Sequence, residues 1–281
     1  NDIFNNLQIP SSYVSKVIEH DQIQGVVFTG STNAGKSVAK IAGKNLKKTV
    51  LELGGNDPYL ILEDAEIDNA VKACIEGRLL NNGQSCISAK RLIVTKNNIK
   101  SFTKKLIDKL ELKIIGDPLE DVDYGPLVSS SARAEVHEMV ESSIKMGAKL
   151  DLGGKIPYSD GAYYPITALS KVQPGMPVFD EEVFGPVFSI VEAKNNDHAI
   201  DLANNSKYGL GAAVFTSDIR KGKIIAEEKI KAGVCFVNDY VKSDPRLPFG
   251  GIKMSGYGRE LSGYGLKEFV NIKSILVENN N

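Results

Sequence analysis

Val26-Val27-Phe28-Thr29-Gly30-Ser31-Thr32 runs directly into Asn33 to Lys48, so an apolar run, a tight turn and a stretch of good helix formers follow one another without a break. This reads as strand, turn and helix. Thr49 to Leu53 supplies a second strand ending in Gly54-Gly55, and Tyr59 to Leu62 a third short apolar run. Ile67, Ala70, Val71, Cys74 and Ile75 then share one face at helical spacing, a pattern that breaks at Asn81-Asn82-Gly83. Further out, Arg91 to Thr95 reads as a strand, and the stripes Ile99, Phe102, Leu106, Leu110 and Ala132, Val136, Val140, Ile144 read as helices. Residues 153 to 186 are rich in Gly and Pro and are expected to be irregular. Val187 to Val191, Gly211 to Phe215 and Val234 to Val237 are expected strands, with helices at Asp197 to Asn205 and Asp218 to Lys229. The alternation gives an α/β fold class. Beyond the loops of 243 to 265, Phe269 to Val277 reads as an edge strand that pairs outside its own domain.

The chain has 281 residues, 42% hydrophobic and 25% charged. That suffices for one large or two ordinary domains and excludes intrinsic disorder. Lys+Arg 34 against Asp+Glu 35 leaves a formal net charge of -1, so no global basic field exists to hold a nucleic acid. No apolar run approaches the ~20 residues of a membrane span, and the opening NDIFNNLQIP has neither a basic nor a greasy leader region; no membrane partner is expected. Cys74, Cys86 and Cys235 lie far apart, which suits reduced thiols and a cytoplasmic location better than a disulfide framework.

Gly30-Ser31-Thr32-Asn33-Ala34-Gly35-Lys36-Ser37 satisfies the P-loop spacing between a strand and a helix. Leu60-Ile61-Leu62 followed by Glu63-Asp64 offers an acid-bearing partner strand, so a P-loop nucleotide triphosphatase is one expectation. A plain strand-to-helix turn is another. Both share a glycine turn and free amides at a helix start, which attract the phosphate of any cofactor. Nothing later in the chain resembles an attacking-water residue or a nucleobase pocket.

Cys86 lies in the polar, glycine-containing stretch Asn81-Asn82-Gly83-Gln84-Ser85-Cys86-Ile87-Ser88, just past a helix end. Cys74 fits an apolar helix stripe and Cys235 an apolar strand, positions typical of core cysteines. A thiol with the ordinary pKa of ~8.5 needs a base or a field to act as a nucleophile at neutral pH. His20, His137 and His198 all sit among charged residues on expected helix surfaces. Glu52, between Leu51 and Leu53 at a strand end, is the better base: partial desolvation raises a carboxyl toward neutrality. Its alternative is a solvent-facing strand glutamate.

Together with Phe28-Thr29-Gly30-Ser31, Leu51-Glu52-Leu53-Gly54-Gly55 and Asn82-Gly83-Gln84-Ser85-Cys86, the stretches Glu181-Glu182-Val183-Phe184-Gly185-Pro186-Val187 and Pro248-Phe249-Gly250-Gly251-Ile252-Lys253-Met254-Ser255-Gly256 span nearly the whole chain. In order and spacing they resemble the aldehyde dehydrogenase superfamily. Phe236-Val237-Asn238-Asp239, Gly258-Arg259-Glu260-Leu261-Ser262 and Glu268-Phe269-Val270-Asn271-Ile272 are most similar to its bacterial succinate-semialdehyde dehydrogenases. The resemblance implies a partial Rossmann-type cofactor domain over residues 1–51, an α/β catalytic domain over 52–236, and a returning tail over 237–281 with an oligomerisation strand. It implies NAD or NADP as cofactor, a small-molecule aldehyde as substrate, and a homodimer or homotetramer.

The same resemblance implies Cys86 as nucleophile, forming a thiohemiacetal and then a thioester, with Glu52 as general base toward the thiol or the hydrolytic water. Gly30 and Ser31 face the cofactor pyrophosphate, the Leu53 backbone lies near the nicotinamide, Glu182 binds its ribose and Phe184 flanks the ring. A semialdehyde carrying a carboxylate calls for a cation at the pocket mouth, for which Arg78, Lys242 and Arg246 are the candidates. Some family members place an arginine six residues before the nucleophile, where this chain has Leu80. Members also carry a long section ahead of the residue matching Asn1, which holds the adenosine contacts and an oxyanion-binding asparagine. An inactive truncated fragment is therefore a further expectation.

Overall fold

The computed structural model describes residues 3–158 and 160–278. After helix α1 (Val14–Glu19), strand β1 (Gly25–Thr29), helix α2 (Thr32–Lys44) and strand β2 (Lys48–Glu52) form a parallel β-α-β unit. Ser31 caps α2, its hydroxyl accepting from the Ala34 amide at 3.3 Å. The chain then crosses to a larger sheet through β3 (Asp57–Ile61), α3 (Ile67–Leu79), β4 (Ala89–Thr95), α4 (Ile99–Leu110), α5 (Ser130–Lys145), β5 (Lys149–Leu152), β6 (Thr167–Ser170), α6 (Pro177–Asp180), β7 (Val187–Ala193), α7 (Asn196–Asn204), β8 (Gly211–Phe215), α8 (Ile219–Ile224) and β9 (Val234–Val237). The tail returns as β10 (Gly256–Tyr257), antiparallel to β2, and α9 (Ser262–Glu268).

The small sheet has the order β1-β2-β10 and the large one β5-β6-β7-β4-β3-β8-β9. Every pair in the large sheet is parallel except β5 with β6. All residues of β3, β4 and β8 are buried, as parallel strands covered on both faces require. Alternation along β3 and into the residue after it separates the two layers: Tyr59 and Ile61 join Phe102, Leu106 and Phe215 on one face, while Leu60 and Leu62 join Phe179 and Val214 on the other.

Two stretches depart from expectation, and a third, expected to pair outside its own domain, has no strand partner in the single chain. Phe269 to Val277 forms no strand within the chain: residues 271–278 run without regular structure, and Ile272, Ile275, Leu276 and Val277 are exposed. It pairs with none of the strand edges that the two sheets leave open, β1 and β10 in the small sheet and β5 and β9 in the large one. The stretch 153–186 contains β6 and α6, because β6 pairs with both β5 and β7 despite its glycine-rich flanks. The helix expected to reach Lys48 stops at Lys44, since Leu46 takes a left-handed conformation (φ 54°) that turns the chain into β2.

Candidate active site

Glu52 is the last residue of β2, at the carboxyl end of a parallel pair, where open α/β sheets place their ligands. Its backbone is fixed on both sides: the Gly30 amide donates to Glu52 O at 3.0 Å, and the Leu53 amide donates to Ser255 O at 3.0 Å. The side chain is buried, and neither carboxylate oxygen has a hydrogen-bond partner. Burial, aided by the negative charge of Glu260 and opposed by Arg259, pushes its pKa up to about 8. The solvent-facing alternative is thereby excluded.

Gly54, Gly55 and Asn56 carry the chain from the small sheet to the large one. A Cβ on Gly55 would lie 2.5 Å from the Cys86 carbonyl oxygen, and one on Gly54 would collide with the Glu182 carboxylate. The glycine pair lets two strand ends, the cysteine loop and the Glu182 loop converge.

The cysteine loop is built by three successive left-handed residues, Asn81 (φ 50°), Asn82 (φ 58°) and Gly83 (φ 76°). Asparagine tolerates this conformation, and at Gly83 a side chain would strike the Gly185 carbonyl. Asn82 ties the loop down through Nδ2 to Pro126 O at 3.0 Å and through Oδ1, which accepts from the Gly125 amide at 3.1 Å. Gln84 Oε1 accepts from the Val128 amide at 2.8 Å. Cys86 is half-buried. Burial and the charges of Asp57, Glu182 and Glu52 raise its thiol to about 11, against a lowering by Lys90. Cys74 and Cys235 are pushed up by burial, Cys235 to about 12.

Glu182 Oε1 accepts from the Gly55 amide at 3.0 Å and pairs with Lys90 Nζ at 3.3 Å. It lines a cleft of about 590 Å³ shared with Ser31, Thr32, Lys36, Lys207 and Tyr208, within the range of small-molecule sites. Leu53 is buried against Gly35 of α2, Gly30 directly follows β1, and Phe184 is 42% exposed. The fold thus brings Gly30, Ser31, Glu52, Leu53, Cys86 and Glu182 around one junction.

Arg78 does not belong with them. Its guanidinium is fully buried and donates to Val187 O at 2.6 Å, Ser88 Oγ at 2.8 Å and Val183 O at 2.8 Å, so it braces the core rather than a pocket mouth. Lys242 and Arg246 are exposed on the 239–246 loop, each paired with a neighbouring acid, Asp239 and Asp244. Sequence reading missed Lys90, Asp57 and Glu260 as groups acting on the site. The signal was present for one of them: Asp57 is an acid in a strand that is otherwise uncharged, whereas Lys90 stands beside Arg91 in β4. Among the described residues no group of three or more His, Cys, Asp or Glu is placed to hold a metal, and no helix is long and apolar enough to cross a membrane.

The sequence matches the aldehyde dehydrogenase family over residues 1–275. The chain belongs to that family. It is 42% identical over 274 residues to a succinate semialdehyde dehydrogenase [NAD(P)+] of Escherichia coli (strain K12), covering 97% of itself and 59% of that protein. A succinate-semialdehyde dehydrogenase [NADP(+)] of Mycobacterium leprae (strain TN) is 41% identical, with 98% and 60% covered. Among solved structures, succinic semialdehyde dehydrogenase from Streptococcus pyogenes in complex with NADP+ superposes with a TM-score of 0.93 at 40% identity, covering 96% of this chain and 60% of that one. The chain thus spans about three-fifths of the length of these relatives.

In this member of the family the P-loop expectation fails. Helix α2 already begins at Thr32, and the Gly35 amide is spent on Ser31 O at 2.9 Å, so no wide loop of free amides precedes Lys36. Asp64, the acid of the supposed partner strand, is engaged by Thr216 Oγ1 at 2.7 Å and by the Asp218 amide at 3.3 Å. Gly30–Ser37 is a strand-to-helix turn beside the cleft.

Proposed function

We propose that this chain carries the catalytic centre of an NAD- or NADP-dependent oxidation of an aldehyde to its acid, with succinate semialdehyde as the substrate. The observation that carries the reading is Glu52: a buried, unpartnered carboxyl raised to about 8, whose charge reaches the Cys86 thiol. A carboxyl tuned near the working pH is suited to general-base chemistry.

Glu52 draws the proton from Cys86 Sγ as the sulfur attacks the aldehyde carbon, and the Cys86 amide donates to the developing oxyanion. Loss of hydride from the tetrahedral carbon leaves a thioester on Cys86. Glu52 then releases that proton to solvent and takes one from the attacking water; collapse of the second tetrahedral species expels the Cys86 thiolate and frees the acid, and Glu52 returns its proton to the sulfur. Each turnover consumes one aldehyde, one oxidised cofactor and one water. The nicotinamide, when bound, supplies the hydride acceptor and a positive ring charge. Fit to such a group is supported by the cleft at Ser31 and Lys36, by Glu182 at its wall, and by the side-chain-free approach at Gly54. Gly30 and Ser31 would meet the pyrophosphate, the Leu53 backbone the nicotinamide, Glu182 its ribose and Phe184 the ring's flank.

We read residues 1–51 as part of the cofactor domain, 52–236 as the catalytic domain and 237–281 as the returning tail. In a homodimer or homotetramer the exposed apolar stretch 269–277 would pair as a strand with a second subunit. Lys242 and Arg246 remain the candidates for the substrate carboxylate. The test is a panel of semialdehydes with NAD+ and NADP+ on the protein carrying the complete cofactor domain. Reduced-nicotinamide absorbance should grow fastest with succinate semialdehyde and vanish in Cys86→Ala. Growth that persists in that variant would refute the assignment.

A further inference from the structure

Lys90 is the second residue of β4, and its side chain is 1% exposed. An ammonium taken out of water is costly unless its donors are satisfied, and here they converge on the cysteine loop. Nζ donates to Ser85 O at 2.8 Å and to Cys86 O at 2.7 Å, and pairs with Glu182 Oε1 at 3.3 Å. The two carbonyls belong to the peptide units on either side of Cys86. The Ser85 carbonyl is the other end of the unit that bears the Cys86 N–H, and a cation on that oxygen polarises the unit and strengthens the N–H as a donor. The Cys86 carbonyl, gripped by Lys90, is closed over by Gly55, where a Cβ would come within 2.5 Å. The Gly55 amide in turn holds Glu182.

Asp57 of β3 lies below this cluster, fully buried, with Oδ1 accepting from the Gly211 amide at 2.9 Å and Oδ2 unpartnered. Its charge and that of Lys90 act on each other without direct contact. The charged groups that act on the Cys86 thiol are therefore Glu52 from β2, Asp57 from β3, Glu182 from the loop after α6, and Lys90 from β4, one cation against three acids.

We propose that Lys90 is a positioning residue: by holding both peptide units that flank Cys86 and tying them to Glu182 and Gly55, it aims the Cys86 amide and sulfur as one rigid unit. The inference rests on Cys86 as nucleophile and Glu182 as a cofactor ligand. Its rival is that Lys90 only balances the buried charge of Asp57. The rival predicts that a neutral pair serves equally well; the positioning role predicts that it does not, because methionine cannot donate to either carbonyl.

Two probes of Cys86 separate these, and neither needs cofactor. Iodoacetamide reads the thiolate alone; p-nitrophenyl acetate reads the thiolate together with the amide that binds the oxyanion. Lys90→Met should slow both. Lys90→Met/Asp57→Asn, which removes a cation and an acid together, should return alkylation to near wild type. Its acylation should stay about tenfold slower, a fraction of the ~10²–10³ lost when an oxyanion donor is deleted outright. Recovery of both rates in the double variant, or unchanged rates in a folded Lys90→Met, would overturn the proposal. So would a failure of both variants to fold, which would make Lys90 a core ion. If wild-type Cys86 is alkylated but never acylated, the nucleophile assignment itself fails, and this inference with it.

Discussion

Replacing Glu52 by glutamine should make the protein more stable in alkali, by an amount that the burial of this carboxyl sets. The pKa of Glu52 rises from 4.5 to about 8 on folding, chiefly through burial and next through the charge of Glu260. A raised acid binds its proton more tightly folded than unfolded, so the stabilising difference is complete below 4.5. It is lost progressively as pH climbs from 4.5 and is gone once pH has passed about 8. Each pKa unit corresponds to ~1.4 kcal/mol, and the span gives an upper bound of about 5 kcal/mol, with about 3 kcal/mol reasonable once relaxation around the charge is allowed. Glutamine keeps the shape and cannot ionise. Urea unfolding followed by far-ultraviolet circular dichroism, in half-unit steps from about pH 3.5 to 9, should show the two proteins within error at the acid end. Toward pH 9 Glu52→Gln should become the more stable. Glu260→Gln, which removes a like charge, should shrink the gap. Parallel curves across the whole range would refute the reasoning, as they would mean that Glu52 ionises as readily folded as unfolded.

Gly55→Ala places a Cβ 2.5 Å from the Cys86 carbonyl oxygen and should cost about 1–3 kcal/mol by overpacking, seen as a lower melting temperature together with altered Cys86 alkylation. Arg78→Met strands the carbonyls of Val183 and Val187, both bonded by the buried guanidinium, and should cost about 2–5 kcal/mol in urea unfolding; a normal stability with only a raised semialdehyde KM would instead return Arg78 to the pocket mouth. Glu182→Gln weakens the link to Lys90 and the proposed ribose contact, so cofactor KM should rise about tenfold, the usual worth of one charged hydrogen bond. The semialdehyde KM should move little.

The sequence carries most of the strands, because β3, β4, β7 and β8 are short apolar runs between helix stripes of clear period. What it could not carry is partnership. Phe269 to Val277 has the pattern of a strand and no strand partner within the chain, and β5 and β10 exist only because β6 and β2 lie beside them. The same distinction governs the site. Cys86 and Glu52 stand out because a thiol in a polar turn and an acid between leucines are locally anomalous. Arg78 looked like a free cation by its type alone, whereas its burial among Val183, Val187 and Ser88 depends on residues as far as 109 positions away. Lys90 was hidden for the converse reason: beside Arg91 it resembled an ordinary charged strand entry, and only the fold folds the cysteine loop back over it.

The most direct test of the account is to catch the carbon–sulfur bond. The protein carrying the complete cofactor domain is mixed with succinate semialdehyde and NADP+, quenched in acid within the first turnover, digested and mapped by mass spectrometry. The account predicts a succinyl thioester on the peptide containing Cys86, increased in amount in Glu52→Gln, where hydrolysis is slowed more than acylation. Reduced cofactor formed with no acyl group on Cys86 in either protein, or an acyl group on Cys74 or Cys235, would contradict it.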